Sequence, residues 1–289
     1  MPAPASLDSY TGHSPLTDPA PYADLFTGLP VDLPALHRVV QNIYIHVWKI
    51  RKYHPAWLEN RSHEYESRSV VRSLALVMAH DPQPLTVERP RAQKLIVDCR
   101  HHAVLLVALL RHHGIPARAR CGFATYLEQS HFQDHWICEY WDGSRWVMED
   151  PDVVKHDISP DAFINAGRAW QMIRAGMISD LQFGFSPHDR GEWVVRCDIV
   201  RDLAALNHAE MLSSDAWGFI EKPEALVTTP DRALLDEAAR LIAAVDSDYP
   251  AMREFYQSSP DLCVPDEVNC YNYAINRNTR VLWDDRPTP

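Results

Sequence analysis

The sequence predicts an α+β fold in which helices bracket a small antiparallel sheet. Three observations carry this expectation. Apolar residues recur at helical spacing before and after the middle of the chain, three strand-like runs follow one another between residues 117 and 149, and an Asp-Gly pair separates two of those runs.

Residues 1–34 hold seven prolines, Pro2, Pro4, Pro15, Pro19, Pro21, Pro30 and Pro34, without an apolar period, and are expected to form an irregular N-terminal arm. From there Leu36, Val39, Val40, Ile43, Tyr44, Val47 and Trp48 lie three and four residues apart, the stripe of one amphipathic helix. A second helix is expected over Glu64–Met78, ending before Asp81-Pro82, and a third over residues 99–113. Asp98 can cap that third helix, and Gly114 followed by Ile115-Pro116 stops it. Strands are expected over Ala117–Tyr126, Gln133–Trp141 and Arg145–Glu149. Beyond them come a helix over Pro160–Met177, a strand over Glu192–Val200, and helices over Asp202–Leu212 and Asp231–Val245. The last forty residues show no pattern that orders them. The expected organisation is an arm (1–34), a core (35–155) and a mostly helical C-terminal extension (156–289) packed on that core.

A chain of 289 residues, 46% hydrophobic and 23% charged, can build a sizeable core. The net charge of −11 argues against nucleic acid or an anionic membrane as partner, since both require clustered Lys and Arg. The first residues lack the basic and apolar regions of a secretory leader, and no apolar run approaches the ~18 residues of a membrane span. A cytoplasmic protein with six reduced cysteines is therefore expected. Cys263 and Cys270 form a lone pair, too little to indicate a metal site or a disulfide.

The chemistry centres on one of those cysteines. Residues 103–110 are apolar on every side, so the helix that Cys99 opens should be buried. In its first turn the helix dipole favours a thiolate, and free backbone N–H groups can hold an oxyanion. The neighbouring Asp98 opposes the thiolate. A buried structural cysteine is the competing explanation.

The second piece is a hairpin. If Asp142-Gly143 is its turn, Trp141 faces Ser144 and His135 faces Asp150, with Cβ atoms ~4.5–5.5 Å apart on one sheet face. A carboxylate so placed can orient an imidazole, although a one-residue bulge would break the match. With fifteen histidines in the chain, His135 alone means little. A helix-start Cys together with a cross-strand His–Asp pair is harder to dismiss, because acyl transfer by cysteine needs a thiol, a base and an orienting carboxylate.

The run from Asp98-Cys99 through Leu109-Leu110-Arg111-His112-His113-Gly114-Ile115-Pro116-Ala117-Arg118 resembles the transglutaminase-like superfamily. So do Cys121-Gly122-Phe123, His135-Trp136 and Trp146-Val147-Met148-Glu149-Asp150-Pro151; the resemblance spans residues 60–155. It implies a papain-like core, a small antiparallel sheet packed on the nucleophile-bearing helix, and a catalytic triad of Cys99, His135 and Asp150. The superfamily includes protein cross-linkers, peptide N-glycanases, bacterial proteases and amide synthases, so the fold leaves the reaction open. Two features depart from its pattern: Arg100-His101-His102 follows the cysteine, and the extension past residue 155 matches no cross-linking or glycanase architecture. Segments of that extension, Arg201–Asn207 and Asp215–Gly218, look like those of bacterial transglutaminase-like proteins. Gln93 is a candidate oxyanion donor, and His102, Trp136 and Trp146 are candidates to line the pocket. A solvated Gln and core aromatics are the simpler alternatives.

The expected function is cysteine-dependent acyl transfer through a Cys99 thioacyl intermediate, either hydrolysis of an amide or thioester or transfer to an amine. A small-molecule amide synthase and a non-catalytic binding module are the alternatives. The expected substrate is a small molecule or peptide bearing an amide or thioester. No cofactor or metal is expected, because acidic calcium-loop triplets and Cys-x-x-Cys pairs are missing from the sequence.

Overall fold

A computed structural model describes residues 6–272 and 275–283, so Pro2 and Pro4 of the arm lie outside the described residues. The remainder of the arm lies against the body. Tyr10 is buried and its hydroxyl donates to the Leu206 carbonyl at 2.9 Å, while Arg111 donates to Thr17 at 3.1 Å.

Helix α1 (Leu33–Ile43) starts where Asp32 accepts the Ala35 N–H. The helix expected to run on through Trp48 stops at Ile43. Tyr44–His46 instead form strand β1, which pairs in parallel with β2 (Leu95–Val97), His46 facing Val97. All three β1 residues are buried, and pairing two buried segments satisfies backbone groups that a helix would also have satisfied. Helical spacing alone could not register this competition. Helix α2 (Val47–Tyr53) follows at once, with the His46 ring accepting the Trp48 N–H at 3.1 Å. Helix α3 (Ala56–Arg61) comes next. Helix α4 (Val70–His80) begins later than expected, because Ser69 caps it and residues 64–66 form a short 3-10 turn.

Helix α5 (Cys99–His112) agrees closely with expectation. Asp98 accepts the His101 N–H, and the helix is buried from Cys99 to Arg111. Strands β3 (Ala117–Ala124), β4 (Phe132–Trp141) and β5 (Trp146–Glu149) form an antiparallel sheet. Strand β6 (Phe163–Asn165) adds to β3, and helix α6 (Ala166–Arg174) starts after it, so the helix expected over Pro160–Met177 is shorter. Strand β7 (Phe183–Gly184) pairs in parallel with β4.

The expected strand over Glu192–Val200 is a helix. Helix α7 runs Glu192–Leu206 and absorbs the start of the helix expected over Asp202–Leu212. Its Val-Val and Ile-Val pairs favour strands on propensity, and apolar residues on nearly every face erase the helical period. The all-round burial explains both: α7 lies against β3 and packs with α6. Ala117, Ala119 and Cys121 of β3 join the α5 core, whereas Arg120 reaches from the same strand to Asp202 of α7 at 2.9 Å. The sheet is thus covered on both faces.

The C-terminal portion is not only helical. Strands β8 (Asp215–Ala216), β9 (Glu267–Asn272) and β10 (Arg277–Leu282) form a separate three-stranded antiparallel sheet, and helices α8 (Thr229–Ala243) and α9 (Tyr249–Gln257) lie between β8 and β9 in the chain. Among the described residues no helix is long and apolar enough to cross a membrane.

Candidate active site

Cys99 opens α5 at the floor of a cleft and is 9% exposed. The backbone N–H of Trp136, in β4, favours its thiolate. Burial pushes the thiol well above its ordinary pKa, and the carboxylates of Asp98, Asp134 and Asp152 push the same way. Three nearby negative charges and desolvation thus oppose the thiolate that the helix start favours.

His135 precedes Trp136 and follows Asp134, a residue that lines the cleft. Its Nε2 lies 2.8 Å from Asp150 Oδ2, and both side chains are buried. Burial lowers the imidazole pKa, but Asp150, then Asp152 and Asp134, reverse this and raise it. Asp150 is held as the anion. Burial alone would raise its carboxyl, yet His135, the Tyr126 hydroxyl at 2.7 Å and the Val153 backbone bring it down to about 2. Its other oxygen accepts the Asp152 N–H at 2.9 Å. With Nε2 committed to Asp150, Nδ1 is the imidazole nitrogen left for proton exchange.

The contact exists, but by a different register. The turn is centred on Gly143-Ser144, with Asp142 N–H donating to the Arg145 carbonyl and Gly143 at φ 101°, a conformation suited to glycine. Trp141 therefore pairs with Trp146 rather than Ser144, and β5 leaves the ladder after Glu149. In this register Asp150 falls diagonally across from His135, two residues from direct opposition. Diagonal neighbours on one face remain within reach of long side chains.

The residues after Cys99 face inward. Arg100 donates to the carbonyls of Arg68 and Glu210, and the His101 ring lies 2.6 Å from Asp98. His102 bonds the Asp98 carbonyl at 2.8 Å, and burial lowers its pKa to about 4. It does not line the Cys99 cleft, and neither do the other three candidates. Gln93 is exposed in a 3-10 turn. The Trp136 indole is fully buried, so this residue reaches Cys99 through its backbone. Trp146 lies elsewhere, under the Arg118 guanidinium at 3.9 Å, with its indole N–H on Asp246.

The cleft walls come from Val47, Trp48, Tyr65, Phe185, Trp193 and Val194, with Arg51, Asp98, Asp134 and Arg201 as charged members. Sequence reasoning missed His46, which β1 carries to the cleft, 3.6 Å from Asp152. Its signal was masked by the helical spacing around it. Asp152 had a readable signal: it sits two residues after Asp150 in an Asp-Pro-Asp run.

Residues 83–151 match the family model of the Transglutaminase-like superfamily, a stretch containing Cys99, His135 and Asp150. That stretch is similar to the Transglutaminase-like superfamily. The matched segment runs from the loop after α4 to the residue after Asp150. None of the curated proteins matches this chain. A solved structure of a proposed cysteine protease from Cytophaga hutchinsonii is similar at 16% identity with a TM-score of 0.37, covering 56% of this chain and 46% of that one. The likeness thus spans less than half the length of that protein.

Proposed function

We propose that this transglutaminase-like protein is a cysteine-dependent acyl-transfer enzyme, with Cys99 as nucleophile, His135 as base and Asp150 as orienting carboxylate. The observation that carries the reading is the His135–Asp150 contact at 2.8 Å, in the strand whose Asp134 lines the same cleft as Cys99. His135 Nδ1 takes the thiol proton as sulfur attacks the carbonyl of an amide or thioester. A raised imidazole pKa makes His135 a better acceptor for a reluctant thiol. Backbone N–H groups at the start of α5 stabilise the oxyanion. His135 then returns the proton to the leaving amine or thiol, and a thioacyl enzyme remains. Water or an amine, deprotonated by the same imidazole, attacks that thioester and regenerates the Cys99 thiol.

The aromatic walls suit an apolar or aromatic acyl group on a small molecule or peptide, since Trp48 and Trp193 are partly exposed beside the cleft. One observation favours a second reading: burial and the carboxylates around Cys99 push its thiol pKa up, which a non-catalytic binding module would tolerate. Intact-mass screening against pooled amides and thioesters separates the two. An acyl adduct mapped to Cys99 is expected for the enzyme, and binding without any adduct for the module.

A further inference from the structure

Glu149 ends β5 with its carboxylate between two imidazoles. His37 Nε2, from α1, lies 3.1 Å from Glu149 Oε2, and His156 Nδ1 lies 2.7 Å from the same oxygen. The two rings are 4.5 Å apart. His37 is 1% exposed, yet among the described residues neither of its ring nitrogens has a hydrogen-bond partner. Its Nε2 lies within ion-pair distance of Glu149, the one group near enough to partner it, and its Nδ1 has none. A buried imidazole left unsatisfied is costly unless something else partners it.

We infer that His37, Glu149 and His156 form a binding site for a divalent transition-metal ion, with Zn²⁺ as the best fit. The donor atoms lie within 4.8 Å of one another. Metal–donor bonds of ~2.0–2.2 Å in a tetrahedron place donors ~3.3 Å apart, so small movements of the exposed His156 suffice. Two imidazoles with one carboxylate select Zn²⁺ or its neighbours over Mg²⁺ and Ca²⁺, which prefer oxygen alone. The exposed His156 side provides an entry path and room for water as a fourth ligand. The second carboxylate oxygen of Glu149 accepts the Asp157 N–H at 3.1 Å, an outer contact that holds the ligand in orientation. A second cluster, Cys121 with Asp134 and Asp198, does not compete, because Arg201 donates to Asp198 at 3.1 Å and already supplies the cation. An ion at the first site would tie α1 to the turn that follows Asp150. The inference is independent of the chemistry proposed for Cys99.

The test is a Co²⁺ titration of the full chain followed by visible absorption, with Zn²⁺ as competitor. Cys99→Ala serves as the background, so that no cleft thiol contributes. The expected result is one equivalent of Co²⁺ with the d–d absorption of a four-coordinate ion, displaced by Zn²⁺. His156→Ala, at an exposed position that leaves the fold intact, should weaken binding at least ~10-fold. His188→Ala, at another exposed histidine, should leave it unchanged. Absent absorption, binding that survives His156→Ala, or equal loss in His188→Ala would each overturn the inference.

Discussion

His135 and Asp150 bond at 2.8 Å although they do not face each other across the β4–β5 ladder. Asp150 lies past the last paired residue of β5, and its second oxygen is fixed by the backbone N–H groups of Asp152 and Val153. The carboxylate is therefore held by its own turn as well as by the imidazole. Asp150→Asn keeps a hydrogen-bonding group but allows it to donate, which selects the wrong imidazole tautomer. Turnover should fall at least ~100-fold with little change in KM. Steady-state kinetics on any substrate found by adduct screening provide the check, and an unchanged kcat would mean that another group orients His135.

Asp134 adds a negative charge that raises the Cys99 pKa. Burial also pushes the Asp134 carboxyl itself up, to about 6, so its charge is present above that pH and fades below it. Asp134→Asn removes the charge, and the thiol should then ionise at lower pH. Alkylation of Cys99 by iodoacetamide, followed by peptide mapping between pH 6 and 9, should show its profile shifted down by roughly one unit. Cys138, Cys263 and Cys270 provide an internal comparison: burial raises their pKa values, and Asp134 does not contribute. A profile that moved up, or did not move, would show that Asp134 does not act on Cys99.

How much of this was legible in the sequence differs from element to element. Helix α5 could be read because Asp98, the apolar run and Gly114 all indicate the same helix. The three strands could be read because alternation and turn residues agree. Pairing in β1 could not be read, since its partner β2 lies fifty residues away and nothing local separates Tyr44-Ile45-His46 from the helical stripe. That omission hid His46. Helix α7 was mistaken for a strand because burial on all sides removes periodicity and leaves only β-branched propensity. Gln93, judged by its distance in sequence from Cys99, and Trp146, judged as an aromatic near the motif, are both directed away from the cleft by the fold.

The sheet face toward α7 carries a buried ionic cluster. Glu139 accepts from Arg118 at 2.7 Å and from Arg120 at 3.0 Å. Burial would raise its carboxyl, but Arg120 and Arg118 lower it to about 2. A carboxyl depressed on folding stabilises the native state above its unfolded pKa, ~4.3, and that contribution is lost as pH falls toward 2. Glu139→Gln should therefore destabilise the protein at pH 7 by about 3 kcal/mol, leaving two arginines under-compensated. The gap between variant and wild type should narrow below pH ~4. Urea melts at pH 7 and pH 3 measure both quantities, and a gap that widened on acidification would reverse the sign of the argument.

The central claim is that the Cys99 sulfur carries the acyl group, and Cys99→Ala tests it most directly. The substitution removes one thiol from a buried helix start and should cost about 1 kcal/mol of stability, leaving the fold intact by circular dichroism. Wild type and variant are each mixed with an activated aryl thioester, quenched and peptide-mapped, and thiol release is followed in parallel. The account predicts an acyl adduct on the Cys99 peptide of the wild type, with neither adduct nor turnover in the variant. Turnover retained by Cys99→Ala, or an adduct on a different residue of the wild type, would contradict it.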